Sequence, residues 1–173
     1  DLLDLSKLDA GRHTVDYARV DLARLVRAGA AHFDGLARQR SLAYVVTAPD
    51  TLDAEVDPDK FDRILLNLLS NAFKFTPSGG RIRCTLEPIG QDRVLLSVQD
   101  SGPGVSPDMR GAIFERFRQA QKGTTREFGG TGLGLAIAKD FADLHGGSIA
   151  VSDQSAGGAL FQVEIPRYAP EGT

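Results

Sequence analysis

The chain of 173 residues has no tryptophan, one methionine, one cysteine and only 7% aromatic side chains. With Cys84 as its single cysteine it can form no intrachain disulfide, so packing alone must hold the fold. That composition fits a reducing interior. The net charge is only −3 and no run of Lys and Arg stands out, which argues against nucleic acid or an anionic membrane as the main partner. No apolar stretch is long enough to span a bilayer and no signal-peptide pattern opens the chain, so a cytoplasmic setting without direct membrane contact is expected. Familiar phosphate-binding signatures are missing too. Neither Gly-Lys-Ser nor Gly-Lys-Thr occurs, which excludes a Walker loop. The glycine cluster at residues 129–134 follows a stretch too polar to be a strand, which excludes a Rossmann turn.

What is present suits one soluble domain, with 42% hydrophobic and 25% charged residues. Leu2, Leu3, Leu5 and Leu8 recur at near-helical spacing before Gly11, so residues 1–12 read as the end of a helix whose partner surface lies elsewhere. A second helix is expected over residues 21–40, burying Leu22, Leu25, Val26, Gly29, Phe33, Leu36 and Ala37. Residues 42–46 read as a short strand and 48–56 as polar and turn-rich. The third helix is the clearest. Asp57 is an N-cap with Pro58 at the first helical position, and Phe61, Ile64, Leu65, Leu68, Leu69, Ala72 and Phe73 follow the i, i+3, i+4, i+7 rule without a break.

Strands are expected over 81–87 and 93–99, then a short helical segment from Ser106-Pro107 toward Phe117 and a polar loop over 118–128. A helix over 133–145, stopped by Gly146-Gly147, precedes strands at 148–152 and 160–165. Cys84 alternates with Ile82 and Leu86, which predicts a buried thiol. This order of elements predicts an α+β layer, helices on one face of a largely antiparallel sheet.

Three separated motifs carry chemistry. Asn67, Asn71 and Lys74 stack at i, i+4 and i+7 on the third helix, along an edge about 120° from the centre of its apolar face. Side-chain carbonyls are hard ligands suited to Mg²⁺ bridged to phosphates, and Lys74 can offset phosphate charge. The same three residues would equally serve to solvate a helix flank. Asp100 shares the parity of Val94, Leu96 and Val98, so a carboxylate ends a core-facing row and needs a donor. A purine amine would serve, with Gly102 and Gly104 letting backbone approach a flat ring; an ordinary Asp-Ser-Gly-Pro turn is the other reading. Gly129, Gly130, Gly132 and Gly134 open a helix whose bare amides suit an anion, and Thr131 can add a hydroxyl. A hinge or tight packing site would look alike. Together the motifs describe a site able to hold a nucleotide at both ends.

In this order the Asn67–Phe75 box, Asp100-Ser-Gly102-Pro-Gly104, Phe114-Glu-Arg-Phe117, Thr131-Gly-Leu-Gly134-Leu and Gly158-Ala-Leu-Phe161 resemble the catalytic ATP-binding domain of bacterial sensor histidine kinases, over residues 15–166. Residues 1–12 are similar to the last turns of that family's dimerisation helix, and 167–173 form a tail. The resemblance implies a Bergerat fold, a two-layer α/β sandwich with a mixed, largely antiparallel sheet, holding ATP and Mg. It implies that Asn71 ligates Mg²⁺ with Asn67 beside the phosphates, that Lys74 contacts phosphate, and that Phe75 packs on the adenine. Asp100 would accept from the adenine amine in a pocket shaped by Gly102 and Gly104. Gly130, Gly132, Leu133 and Gly134 would donate amides to the phosphates, and residues 120–128 would be the ATP lid, anchored by Phe114 and Phe117.

The implied partners are the dimerisation and phosphoacceptor helices of a parent kinase and a response-regulator receiver domain. Family members phosphorylate a histidine on the first dimerisation helix, which is missing from this chain. His13, His32 and His145 are expected to be structural or solvent residues, so no catalytic residue is assigned within the chain. A freestanding ATPase of the same superfold would place a glutamate at the position of Asn67, an amide that cannot take a proton from water. An anti-sigma-type serine kinase fits less well with the dimerisation-helix stub and the Phe114–Phe117 box. A nucleotide-sensing interaction module without transfer is the alternative of a different class.

Overall fold

A computed structural model describes residues 14–110, 112–115, 134–154 and 157–171. In chain order the elements are β1 (Ala18–Asp21), α1 (Leu22–Ala31), α2 (Asp34–Gln39), β2 (Ala43–Thr47), β3 (Asp53–Val56), α3 (Pro58–Phe75), β4 (Arg81–Ile89) and β5 (Arg93–Asp100). Short 3₁₀ turns at Pro107–Met109 and Ala112–Phe114 follow, then α4 (Gly134–Leu144), β6 (Ser148–Asp153) and β7 (Ala159–Pro166).

α3 begins where the sequence predicts. Asp57 is extended, its carboxylate accepts from the Lys60 amide at 3.1 Å, and Pro58 occupies the first turn, where a missing N–H costs nothing. All seven residues of its apolar stripe are buried, at 2% exposure or less. Below it lies a five-stranded sheet in the order β2-β4-β5-β7-β6, with β2 parallel to β4 and every other pair antiparallel. Alternation sends Ile82, Cys84, Leu86, Val94, Leu96, Val98, Phe161, Val163 and Ile165 inward against α1, α3 and α4. The opposite face stays open and carries Arg81, Arg83 and Glu87. One core thus sits between one helical layer and one sheet, as expected for an α+β sandwich.

Two expectations change. Residues 21–40 form two helices, α1 and α2, with the chain turning at His32–Phe33; the turn lets Phe33 stack on Phe73 with ring centroids 4.9 Å apart, and leaves Leu36 37% exposed. The turn-rich 48–56 stretch contains β3, which pairs antiparallel with β1 to make a separate two-stranded ribbon. On its other edge β3 meets the segment after β7: Glu55 N donates to Arg167 O at 2.8 Å, and Ala169 N donates to the Glu55 carboxylate at 2.9 Å. The helical end expected at 1–12, Phe117, the loop over 118–128 and residues 129–133 lie outside the described residues. Among the described residues no helix is long and apolar enough to cross a membrane.

Candidate functional site

α3 carries Asn67 and Asn71 along a half-buried edge and leaves Lys74 exposed at its last turn. The Asn67 amide donates from Nδ2 to the Gly134 carbonyl at 2.9 Å, tying this edge to the start of α4. Among the described residues no partner meets the Asn71 amide or the Lys74 ammonium. Phe75, half-buried, ends the helix. Arg40 holds that end in place, its guanidinium donating to the carbonyls of Phe73 and Thr76, where a cation also complements the helix dipole.

Asp100 ends β5 on the inward row and is 5% exposed. Its Oδ1 accepts from Gly102 N at 2.8 Å and from Ala159 N at 3.4 Å, while among the described residues no donor meets Oδ2. Burial pushes this carboxyl above the usual range, and the two backbone N–H groups pull it partly back. A buried carboxylate is costly unless its oxygens meet donors, and the described residues supply donors to Oδ1 alone.

The turn after Asp100 packs against the end of α3. A Cβ on Gly102 would lie 2.8 Å from the Phe75 carbonyl oxygen, so that glycine is required by the protein's own backbone, whatever ring it also faces. Gly104, at φ +81, is crowded by Asp153, whose Oδ1 accepts from Val105 N at 3.0 Å and whose Oδ2 pairs with Arg110 at 2.9 Å. The Val105 N–H holds the Asp153 carboxyl below the usual range, with help from Arg110.

The structure thus joins Asn67 to Gly134, keeps Asn71 and Lys74 on the same helix α3, and sets Gly102 between Asp100 and the Phe75 carbonyl. Gly130, Thr131, Gly132 and Leu133 lie outside the described residues. Phe114 packs edge-on against Phe161, centroids 6.2 Å apart, as a partly buried member of the core. Sequence reasoning missed Arg40, Arg110, Asp153 and the Ala159 amide. Arg40 reaches carbonyls 33 and 36 residues away, so no local pattern announces it. His145, expected to be structural or solvent, is buried at 4% exposure, while His32 stands exposed.

Residues 56–169 match the family of histidine kinase-, DNA gyrase B- and HSP90-like ATPases, and the chain belongs to that family. It is 52% identical over 171 residues to the sensor histidine kinase TmoS of Ectopseudomonas mendocina, covering 99% of this chain but only 18% of TmoS. Among solved structures, full-length ShkA in complex with AMPPNP superposes with a TM-score of 0.83 at 32% identity, over 98% of this chain and 35% of that one. The histidine kinase ThkA in complex with the response regulator protein TrrA gives 0.78 at 26% identity, over 99% of this chain and 48% of that one. Fold and family thus agree on an ATP-binding catalytic domain of the sensor-histidine-kinase type.

Proposed function

We propose that this domain, residues 15–166, binds Mg·ATP in the cleft beside α3 and donates its γ-phosphoryl group to a histidine on dimerisation helices of a longer parent kinase, of which residues 1–12 are the last turns and 167–173 a tail. The observation that carries the reading is the Oδ2 of buried Asp100, which meets no donor among the described residues and lies next to Gly102, packed on the end of α3 at Phe75. Asp100 accepts the exocyclic amine of adenine, Gly102 and Gly104 shape that pocket, and Phe75 packs on the ring. At the other end Asn67 and Lys74 face the phosphates, with backbone amides of Gly130, Gly132, Leu133 and Gly134 and the hydroxyl of Thr131 completing the cradle.

Asn71 offers the amide oxygen that would hold a magnesium ion. Its half-buried side chain has no protein partner among the described residues, and no described cluster of His, Cys, Asp or Glu competes for a cation. When bound, the ion would neutralise charge on the phosphate oxygens. In the transfer itself the terminal P–O bond to ADP breaks and a P–N bond forms on the acceptor imidazole, so the domain's task is to position the donor and stabilise charge. Hydrolysis is disfavoured, because Asn67 is an amide committed to the Gly134 carbonyl and offers no base for water. A cytoplasmic setting and a receiver-domain partner follow from the same reading.

Calorimetric titration with ADP and a non-hydrolysable ATP analogue, with and without Mg²⁺, tests it. Asp100→Asn is expected to weaken binding roughly 10- to 150-fold, the loss of one hydrogen bond to a charged group. Asn71→Ala is expected to lose mainly the Mg²⁺ dependence. No binding by the folded, unmodified chain would sink the reading and favour an interaction module.

A further inference from the structure

One buried titratable group lies far from the nucleotide cleft. His145, just past α4, is 4% exposed, with Nε2 3.1 Å from the amide nitrogen of Asp57 and Nδ1 2.8 Å from the Phe141 carbonyl. A backbone amide can only donate, so Nε2 presents its lone pair and the proton sits on Nδ1, donated to Phe141. The ring is neutral in this arrangement; a second proton would set two donors face to face. Asp57 extends the joint. Its Oδ1 accepts from Lys60 N at 3.1 Å, and its Oδ2 from Asp16 N at 3.0 Å and from the Lys60 ammonium at 3.4 Å. Tyr17 meets the imidazole edge-on at 5.9 Å, and the Lys60 ammonium lies 5.3 Å from the centre of the Phe141 ring. The 14–17 segment, the first turn of α3 and the last turn of α4 therefore share one node.

The same helix pair is pinned a second time, by mid-helix Asn67 of α3 on the Gly134 carbonyl at the start of α4. Asp57 and Asn67 stand roughly three turns apart, as do His145 and Gly134, about 15 Å along each helix. Two helices pinned at two points about 15 Å apart keep one axial register. Released at one end, packed helices shear by about 1–2 Å. Register matters here because α3 carries Asn71 while α4 opens from the glycine cluster.

We propose, on the nucleotide-site reading above, that His145 is a positioning residue coupling the 14–17 segment to the nucleotide cleft, its Nε2 lone pair holding α3 and α4 in register. Burial holds the ring below its usual value of 6.5; the Phe141 carbonyl and the Asp57 carboxylate raise it and the Lys60 ammonium lowers it further. The Tyr17 hydroxyl, raised by burial and by Asp57, stays neutral. With the folded value depressed, the joint's stability is complete above pH 6.5 and is lost as pH falls toward the folded value.

The test is amide hydrogen exchange on the full chain, with and without saturating ADP, at pH 7.5 and 5.5. In the wild type at pH 7.5, ADP is expected to slow exchange at Asp16 and Asp57 by about 3- to 10-fold, the scale of one hydrogen bond. His145→Ala should abolish that slowing while ADP stays bound. His145→Gln, whose carbonyl can accept from Asp57 and whose amide can donate to Phe141, should restore it and hold it equally at pH 7.5 and 5.5, whereas the wild type is weakened at the lower pH. Equal slowing in His145→Ala overturns the proposal. Should that variant fail to fold, the wild-type ring decides: an Nδ1–H tautomer in a long-range ¹H–¹⁵N spectrum at pH 7.5 supports the joint, and an Nε2–H or charged ring overturns it. Absence of ADP binding in the wild type sinks the nucleotide reading and the coupling together; ADP binding without change at Asp16 sinks the coupling alone.

Discussion

Gly158 and its neighbour Gly157 separate two effects that single residues can have. Both have left-handed backbones, at φ +98 and +94, but a Cβ on Gly157 would meet nothing within 4 Å, whereas one on Gly158 would lie 1.9 Å from the Asp100 carbonyl oxygen. Gly157→Ala is expected to cost only the left-handed strain, about 1–2 kcal/mol. Gly158→Ala must also push β5 and β7 apart, so it should lower the urea midpoint more and weaken ADP binding, because Ala159 N and Asp100 move with it. On the proposed reading, Asp100 sets function against stability. Its raised pKa means that the stability of its protonated form is fully present below pH 3.8 and is lost as pH rises through the folded value. At neutral pH the buried charge is therefore a cost. Asp100→Asn should unfold at a urea midpoint equal to or above that of the wild type while losing nucleotide; a clear drop in midpoint would contradict this.

At the scale of elements, α1 crosses α3 where Gly29 faces Leu65, and a Cβ on Gly29 would lie 2.6 Å from the Leu65 side chain. Gly29→Ala overpacks the contact, by about 1–3 kcal/mol. Leu65→Ala empties it, by about 2–5 kcal/mol. The double variant lets the new methyl enter the vacated space, so its destabilisation should fall short of the sum by roughly 0.5 kcal/mol or more in a denaturation cycle. α3 was legible from sequence because cap, proline and seven apolar positions all agree. The break at His32–Phe33 was not, since no proline marks it and what stabilises it is Phe33 on Phe73, a contact between residues remote in sequence. β1 and β3 escaped for a related reason. Each is four residues long, and β3's outward Asp53 and Glu55 make a half-buried strand look like a polar turn. Asn71 and Asp100 stood out in the sequence because a polar side chain there borders an apolar stripe or ends a core-facing row. Asp153, Arg110 and His145 act through partners that only the folded chain supplies.

For the molecule as a whole, one continuous core joins the helical layer to the sheet, and Cys84 sits within it, fully buried, its thiol pushed by burial up to about 12. Thiolate is the reactive form, so labelling of Cys84 should require global opening. Its rate should rise with urea as steeply as unfolding followed by circular dichroism, and a urea-independent rate would reveal a local opening of the sheet. The β1–β3 ribbon has a topological consequence. With β1 on one edge of β3 and residues 167–169 on the other, the incoming and outgoing chain lie about two strand spacings apart, roughly 10 Å. Such a domain behaves as a cassette that can be spliced into a host through adjacent attachment points. A circular permutant joining residue 170 to residue 14 by a short Gly-Ser linker, and opened at the 90–92 hairpin where Gly90 stands at φ +62, should fold to the same circular dichroism spectrum.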